Sequence, residues 1–259
     1  LTNSFVVKIK TIIFKEKMKT LNAIIYAVAI VLFAFIVGQS YVNRAKPRGE
    51  ISVTGLGQIN FTSDLIVWTG SFTESAGSIA QAYSKIAYDR KKVLNYLLSN
   101  GINKDDIVFD AVTTTNVFVD NYSPEGKYIG QKMVGYKLTE QVKVTSKQVE
   151  KVENVSREIT ELINKGINFY SSAPSYYYTK LADLKLKLIE LATKDAKDRA
   201  QKIASNSNAR IGKLLSASMG VFQITGQYSN EDYSWGGTFN TSSKNKTASI
   251  TVHLEYSIK

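Results

Sequence analysis

Groups able to do acid–base, nucleophilic or metal chemistry are sparse in this chain. His253 is its one histidine, and there is no cysteine. That inventory removes disulfides, thiol catalysis, thiolate metal sites and a lipidated-cysteine anchor. With no second histidine and no HExxH it also removes the usual zinc sites. His253 alternates out of phase with Ile250, Val252 and Leu254 and shares a face with Thr251 and Glu255, as a solvent-facing strand histidine does. Asp105-Asp106 is the nearest thing to a carboxylate pair. It follows Gly101 in a helix-to-strand turn, where aspartates serve backbone hydrogen bonds. Asp195 and Asp198 are interleaved with Lys194, Lys197 and Arg199, the pattern of a solvated, salt-bridged helix face. Gly55-Leu56-Gly57 lacks the third glycine of a nucleotide loop and leads into a strand, so it reads as a bulge or a close backbone approach. No Walker or GxSxG pattern is present. The expectation is a protein that is not an enzyme, with no catalytic, cofactor-binding or metal-binding residue and no cofactor.

Aromatic residues are the more distinctive feature. Tyr176, Tyr177 and Tyr178, and the group Tyr228, Tyr233, Trp235 and Phe239, fall in loop-like or strand-edge settings. Aromatics without a periodic partner mark contact surfaces, or else pack a long loop onto a sheet. The functional version is a surface for self-association or for glycans.

The net charge of +11 invites a nucleic-acid partner, but +7 of it lies in residues 1–48, leaving the rest at +4. No Arg-rich run or basic–aromatic stripe concentrates a field in the body, as neutralising several phosphates requires. No nucleic-acid partner is expected. At 44% hydrophobic and 21% charged, with 3 prolines, the composition is that of a folded chain with a core.

The elements that must position these residues begin with an apolar block. Lys15, Lys17 and Lys19 precede residues 21–37, in which Asn22 is the one strongly polar residue. A basic flank followed by an apolar run is the layout of a secretory signal or signal anchor. Gly38 and Ser40 offer small residues to a signal peptidase, but no A-x-A stands there. An uncleaved anchor in residues 21–40 is favoured, with 21–38 in the membrane and the body outside the cytosol. A soluble periplasmic protein after cleavage is the alternative. Met18 is the first methionine, so translation starting there would leave residues 1–17 outside the native chain, within a basic segment 1–20.

Residues 41–50 read as a linker. Residues 51–61 and 64–74 read as a hairpin of two strands. Helical spacing of Ile79, Tyr83, Ile86, Val93, Leu94 and Leu97 follows, stopped at Asn100-Gly101. Residues 107–119 and 133–145 read as strands. The second places Val134, Tyr136, Leu138, Val142 and Val144 on one face, with Glu140 the exception. Thr145 to Gln148 has capping-box spacing before a helix carrying Val152, Val155, Ile159, Leu162 and Ile163, closed by Gly166. A strand with a proline in its middle spans 167–178. The longest helix spans 181–205, with Leu184, Leu188, Leu191, Ala192, Ala196, Ala200 and Ile203 inward. Strands at 213–225 and 247–258 close the chain. The order ββ-α-ββ-α-β-α-ββ, after one N-terminal apolar helix, predicts an α+β fold with mixed, largely antiparallel sheets. Residues 51–259 form one body or two intimately joined subdomains.

The ordered set ISVTGLG, GINKDDI, GYKLTEQVKV, GINFY and ATKDAKDRAQKIASNSNARIGKL resembles the SIMPL domain family (DUF541) over about residues 49–259. The resemblance implies an exported α+β protein of the periplasmic or outer-membrane immunogenic group of Gram-negative bacteria. It implies a homo-oligomer, in some members ring-like or channel-like, and in some a link to envelope stress. It transfers no catalytic residue and names no small-molecule ligand. The chain departs from the family pattern at Ser63-Asp64, where Pro-Asp is typical, and at Ile167, where Gly-Ala-Asn is favoured. It departs again in the leucines of its long helix, Leu184, Leu186, Leu188 and Leu191.

Overall fold

The computed structural model describes residues 2–45 and 49–259. The linker expected at 41–50 lies partly outside them, at residues 46–48. Two compact units divide at residues 50 and 51. The first is dominated by one helix, α1 (Thr2–Ala45). Within it Met18–Val42, 25 residues containing an 18-residue window of mean hydropathy 2.5, is long and apolar enough to cross a membrane. At ~1.5 Å per residue that stretch is about 37 Å long, which clears a ~30 Å hydrocarbon core. The apolar block alone, residues 21–37, would fall slightly short. Its side chains, Leu21, Ile24, Leu32, Phe33 and Phe35 among them, are exposed around the whole circumference.

The second unit is α+β with antiparallel sheets. Its strands are β1 (Glu50–Thr62), β2 (Leu65–Ala76), β3 (Ile107–Phe109), β4 (Thr113–Tyr122), β5 (Tyr128–Ser146), β6 (Asn168–Ser171), β7 (Ser175–Tyr177), β8 (Ile211–Met219), β9 (Gln223–Gly226) and β10 (Asn245–Ile258). Its helices are α2 (Ile79–Ser99), α3 (Val149–Glu158) and α4 (Leu181–Asn206). One sheet has the order β1-β10-β8, with β9 also on β10. The other has the order β3-β5-β2-β6, with β4 on β5 and β7 on β2.

The two strands expected to form a hairpin do not pair. β1 joins the first sheet and β2 the second. The reason lies in the corner between them. Ser63 N–H donates to Lys244 O at 2.9 Å, on the approach to β10, and Asp64 N–H donates to Tyr177 O at 3.0 Å in β7. The Asp64 carboxylate also accepts from the Thr179 N–H and hydroxyl, both at 2.7 Å. A turn pinned on both sides to other strands carries the chain from one sheet to the next.

Each sheet buries its own core. Ile66, Trp68 and Phe72 of β2, with Leu138, Val142 and Val144 of β5, pack under Ala82, Ile86, Val93 and Leu97 of α2 and Val152 and Val155 of α3. Ile51, Val53, Ile250, Val252 and Leu254 pack under Leu184, Leu188, Ala192, Ala196 and Ala200 of α4. Gly55 and Gly57 make the close approach in this second core. A Cβ at Gly55 would lie 2.2 Å from Ala192 O, and one at Gly57 2.2 Å from Leu188 O.

Other expectations shift by a register or a residue. Ile79, Tyr83, Val134, Ile163, Leu191 and Ile203 are exposed, not inward, because the buried stripe of each element is narrower than its apolar pattern. The capping box does not form. β5 runs through Thr145 to Ser146, and α3 begins at Val149 without a side-chain cap on Gln148. Each strand expected at 107–119 and 167–178 is two strands, the latter pair separated around Pro174. Gln223 to Gly226 form β9, apart from β8. Glu140, the odd residue on the apolar face of β5, is buried on that face at 1% exposure, with Arg90 of α2 at 3.1 Å.

Candidate functional site

The two aromatic groups singled out in the sequence meet in space. β7 carries Tyr176 and Tyr177, with Tyr178 just beyond it. The loop between β9 and β10 carries Tyr228, Tyr233, Trp235 and Phe239. Tyr176 N–H donates to Thr241 O at 2.7 Å. The Tyr176 carbonyl accepts from Lys246 Nζ at 2.6 Å, and that ammonium lies 5.8 Å from the Phe239 ring centroid. Lys246 therefore joins the groups. It is 1% exposed, and burial pushes its pKa down to about 8 against the opposing pull of Glu231.

The base of the aromatic loop is fastened by polar side chains. Gln223 Oε1 accepts from the N–H of Ser234 (3.3 Å) and of Thr238 (2.8 Å), while its Nε2 donates to Ser234 O at 2.8 Å. Glu231 accepts from Gly226 N–H at 3.0 Å and from the Asn240 amide, and Asn240 Oδ1 accepts from Ser243 N–H at 2.8 Å. Backbone bonds from Ile224 to Thr238 O (2.7 Å) and from Asn240 to Ile224 O (2.9 Å) close the base.

On this base the aromatic side chains divide. Tyr176 is buried. Its hydroxyl donates to Glu153 Oε1 at 3.2 Å, and burial beside that carboxylate raises its pKa. Glu153 is held below the usual carboxylate range, chiefly by the Lys244 ammonium at 2.7 Å, with Tyr176 and Arg157 adding to it. Tyr178 lies half-buried against Phe61, ring centroids 4.8 Å apart, and Tyr177 is also half-buried. Phe239 and Tyr233 are exposed, and Ser249 Oγ donates to the Tyr233 hydroxyl at 3.3 Å. Tyr228 and Trp235 stand clear of the protein at 94% and 100% exposure. A cleft of about 360 Å³ is lined by Trp235, Tyr233, Leu56, Val221, Ser249 and Thr251. That volume is at the small end of the ~300–1,000 Å³ of small-molecule sites.

The chemistry-bearing residues lie elsewhere. His253 is half-exposed, its ring nitrogens 3.0 Å from Ser52 Oγ and 3.1 Å from Thr54 Oγ1. Asp105 is exposed and Asp106 half-buried in a 3-10 turn, Lys104–Asp106. Asp195 does more than decorate a helix face. Its carboxylate accepts from Leu56 N–H of β1 at 2.8 Å and from Arg199 at 2.9 Å, and these bonds lower its pKa. No group of three or more metal-ligating side chains assembles among the described residues.

Sequence reasoning missed Lys246, Gln223, Glu231 and Asn240, the residues that hold the loop. For Lys246 a signal was present. The inward phase of β10, at Ala248, Ile250, Val252, Leu254 and Tyr256, extends back by one step to position 246.

A family model described as SIMPL, protein of unknown function (DUF541), matches residues 51–256. No curated protein matches the chain.

Proposed function

The chain belongs to the SIMPL (DUF541) family, and on that premise we propose that it is a non-enzymatic protein of the bacterial cell envelope that works by self-association and contact. In this reading residues 21–40 of α1 are a signal anchor in the inner membrane, and residues 51–259 are a periplasmic body of two joined subdomains. The lysines that precede the apolar block stay in the cytosol. Protection against envelope stress would follow indirectly from assembly. The observation that carries the reading is the exposed aromatic loop, with Tyr228 and Trp235 fully presented on a base held by Gln223, Glu231 and Asn240. Large aromatics on a rigid support bind at low entropic cost and are enriched at protein contacts.

Two measurements test it. Fractionation of native cells with intact mass of the mature chain tests the anchor. A membrane-bound chain retaining residues 21–40 supports it, and a soluble chain shortened past residue 40 replaces it with a free periplasmic protein. Light scattering of the detergent-solubilised chain tests self-association, and a monomer at all concentrations refutes it.

The cleft lined by Trp235 favours a second reading, a module that holds an envelope glycan or lipid. Trp68 is fully buried and Trp235 fully exposed, and these are the chain's two tryptophans. Titration with glycan fragments or short-chain phospholipid would then shift the red-edge emission and raise the melting temperature. Both effects would vanish in Trp235→Ala. No shift with either class removes this reading.

A further inference from the structure

β4 is a strand with one free side. It pairs with β5 alone, and nine of its ten residues are exposed, Val117 being half-buried. β5 leaves β2 at the Ala76–Tyr136 pair, so β4 and the first part of β5 continue beyond the sheet as a two-stranded ribbon. Phe118, Val119, Tyr122, Tyr128, Ile129 and Met133 are exposed on it. A two-stranded ribbon is marginal in water unless something packs against it.

Native edges are guarded by lysine, proline, bulges or brevity. β3, β6, β7 and β9 are short. The edge of β1 has Leu56 N–H taken by Asp195. β8 carries Lys213. The β4 sequence TTTNVFVDNY has no lysine, arginine or proline, is rich in β-branched and aromatic residues, and bears one charge, Asp120, held by Gln131 at 3.1 Å. The two register shifts of the ribbon fall after Val117 and after Asn121, and in both the extra residue, Val134 or Ile129, belongs to β5. The bulges thus distort the inner strand and leave the outer edge regular over its full length.

We infer that β4 pairs edge to edge with β4 of a second copy of this chain, across a two-fold axis, to make a four-stranded β5-β4-β4-β5 ribbon. The inference deepens the self-association reading and rests on it. Charge permits the pairing. An antiparallel self-register centred on Val117 or Phe118 sets Asp120 opposite Thr114 or Asn116, so no like charges meet. Area sets its strength. Ten residues make a strip ~33 Å long and ~10 Å deep, about 330 Å² of section per copy and about 700 Å² in all. That is short of the ~1,200 Å² of a durable interface, so the contact is reversible and concentration-dependent. Holding two copies in one membrane supplies the missing strength as effective concentration.

The test uses the full chain in detergent. Asn116→Lys with Phe118→Lys places like charges across the axis, and the counterpart carries Asn116→Glu with Phe118→Glu. Light scattering over a dilution series is expected to show each variant dissociating at a concentration at least tenfold above wild type, and an equimolar mixture recovering association. Circular dichroism checks that both variants fold. The chain has no cysteine, so a spin label at Thr114→Cys in an otherwise wild-type chain gives a reading independent of them. The two labels are expected about 20 Å apart for a register centred on Val117 and about 27 Å for one centred on Phe118. Wild-type association unchanged in both variants, with no inter-copy distance below about 40 Å, overturns the β4 pairing and leaves self-association standing. A wild-type chain that is monomeric throughout overturns both.

Discussion

Gly55→Ala tests how the second core is built. Gly55 lies on the face of β1 that meets α4, and its backbone φ is not in the left-handed region, so the requirement for glycine there is space and not conformation. An added Cβ would stand 2.2 Å from Ala192 O, 2.4 Å from Ala196 N and 2.7 Å from Ala196 Cβ. Two of those three atoms are backbone in the middle of a hydrogen-bonded helix, so no rotamer change relieves them. Restoring a normal contact demands that α4 retreat by about 1 Å along a core of small alanines, or that β1 leave its register. Overpacking a core costs ~1–3 kcal/mol, and this case belongs at or above the top of that range because the obstruction is main chain. For a body of this size each kcal/mol is about 2–4 °C, so a fall of roughly 6–12 °C is expected. Thermal unfolding of the full chain in detergent, followed by circular dichroism, measures the shift, and urea unfolding measures the free energy. Gly77→Ala is the control. Nothing lies within 4 Å of its Cβ and its φ is ordinary, so it is expected to be neutral or stabilising by a few tenths of a kcal/mol. Gly55→Ala with Ala196→Gly should recover only part of the loss, since the clash with Ala192 O remains. A Gly55→Ala chain within about 1 kcal/mol of wild type would refute the close-approach reading of Gly55-Leu56-Gly57.

Two buried titratable groups give predictions with opposite signs. Asp89 of α2 is 6% exposed, and burial together with its hydrogen bond to Glu74 raises its pKa to about 6. The folded chain therefore holds this proton more tightly than the unfolded one, and stability is lost as pH rises from about 4 through 6. Asp89→Asn is expected to flatten that segment and to raise stability at pH 7 by up to about 3 kcal/mol, read from urea midpoints at pH 4, 5, 6 and 7. Lys246 has its folded pKa depressed to about 8, so the unfolded chain binds the proton more tightly between pH 8 and 10.5 and stability rises through that window. Lys246→Met should abolish the alkaline rise in the same assay, and above about pH 10 it should lose stability because the Tyr176 carbonyl is left without its donor.

Legibility in the sequence followed the kind of signal each residue carried. The helices were readable because their apolar residues recur at 3.6 spacing and two stops are glycines with positive φ, Gly101 at +77° after α2 and Gly166 at +78° after the 3-10 helix Ile159–Lys165 that continues α3. Strand existence was readable from alternation, but strand partners were not. β1 and β2 look like a hairpin because nothing local records that Ser63 and Asp64 bond to Lys244 and Tyr177, more than a hundred residues away. The aromatic surface was legible as a set of residue types in non-periodic settings. Its division into buried Tyr176 and exposed Trp235 was not, since both stand beside polar residues in turn-rich sequence. The capping-box spacing at Thr145 was misleading because a strand that buries Val144 and Ser146 gains more from extending the sheet than from an early helix cap.

The long-range polar bonds also explain why two separate apolar cores behave as one compact body. The cores are built by different sheets, and the segments that join them meet through hydrogen bonds and charges: the Ser63–Asp64 corner, Lys246 on the Tyr176 carbonyl, and Glu153 gathering Lys244, Tyr176 and Arg157. Apolar contacts tolerate sliding, whereas a buried ammonium left without its acceptor is costly, so a joint of this kind admits one arrangement and penalises its neighbours. That rigidity matters for both surfaces. The aromatic loop springs from the joint, between β9 and Lys246, and the β4 edge extends the sheet on the far side of it. A joint that slipped would move the two surfaces independently. On the proposed self-association, a joint fixed by Lys246 and Glu153 would present them in one geometry, as a repeating assembly of a single kind of subunit requires.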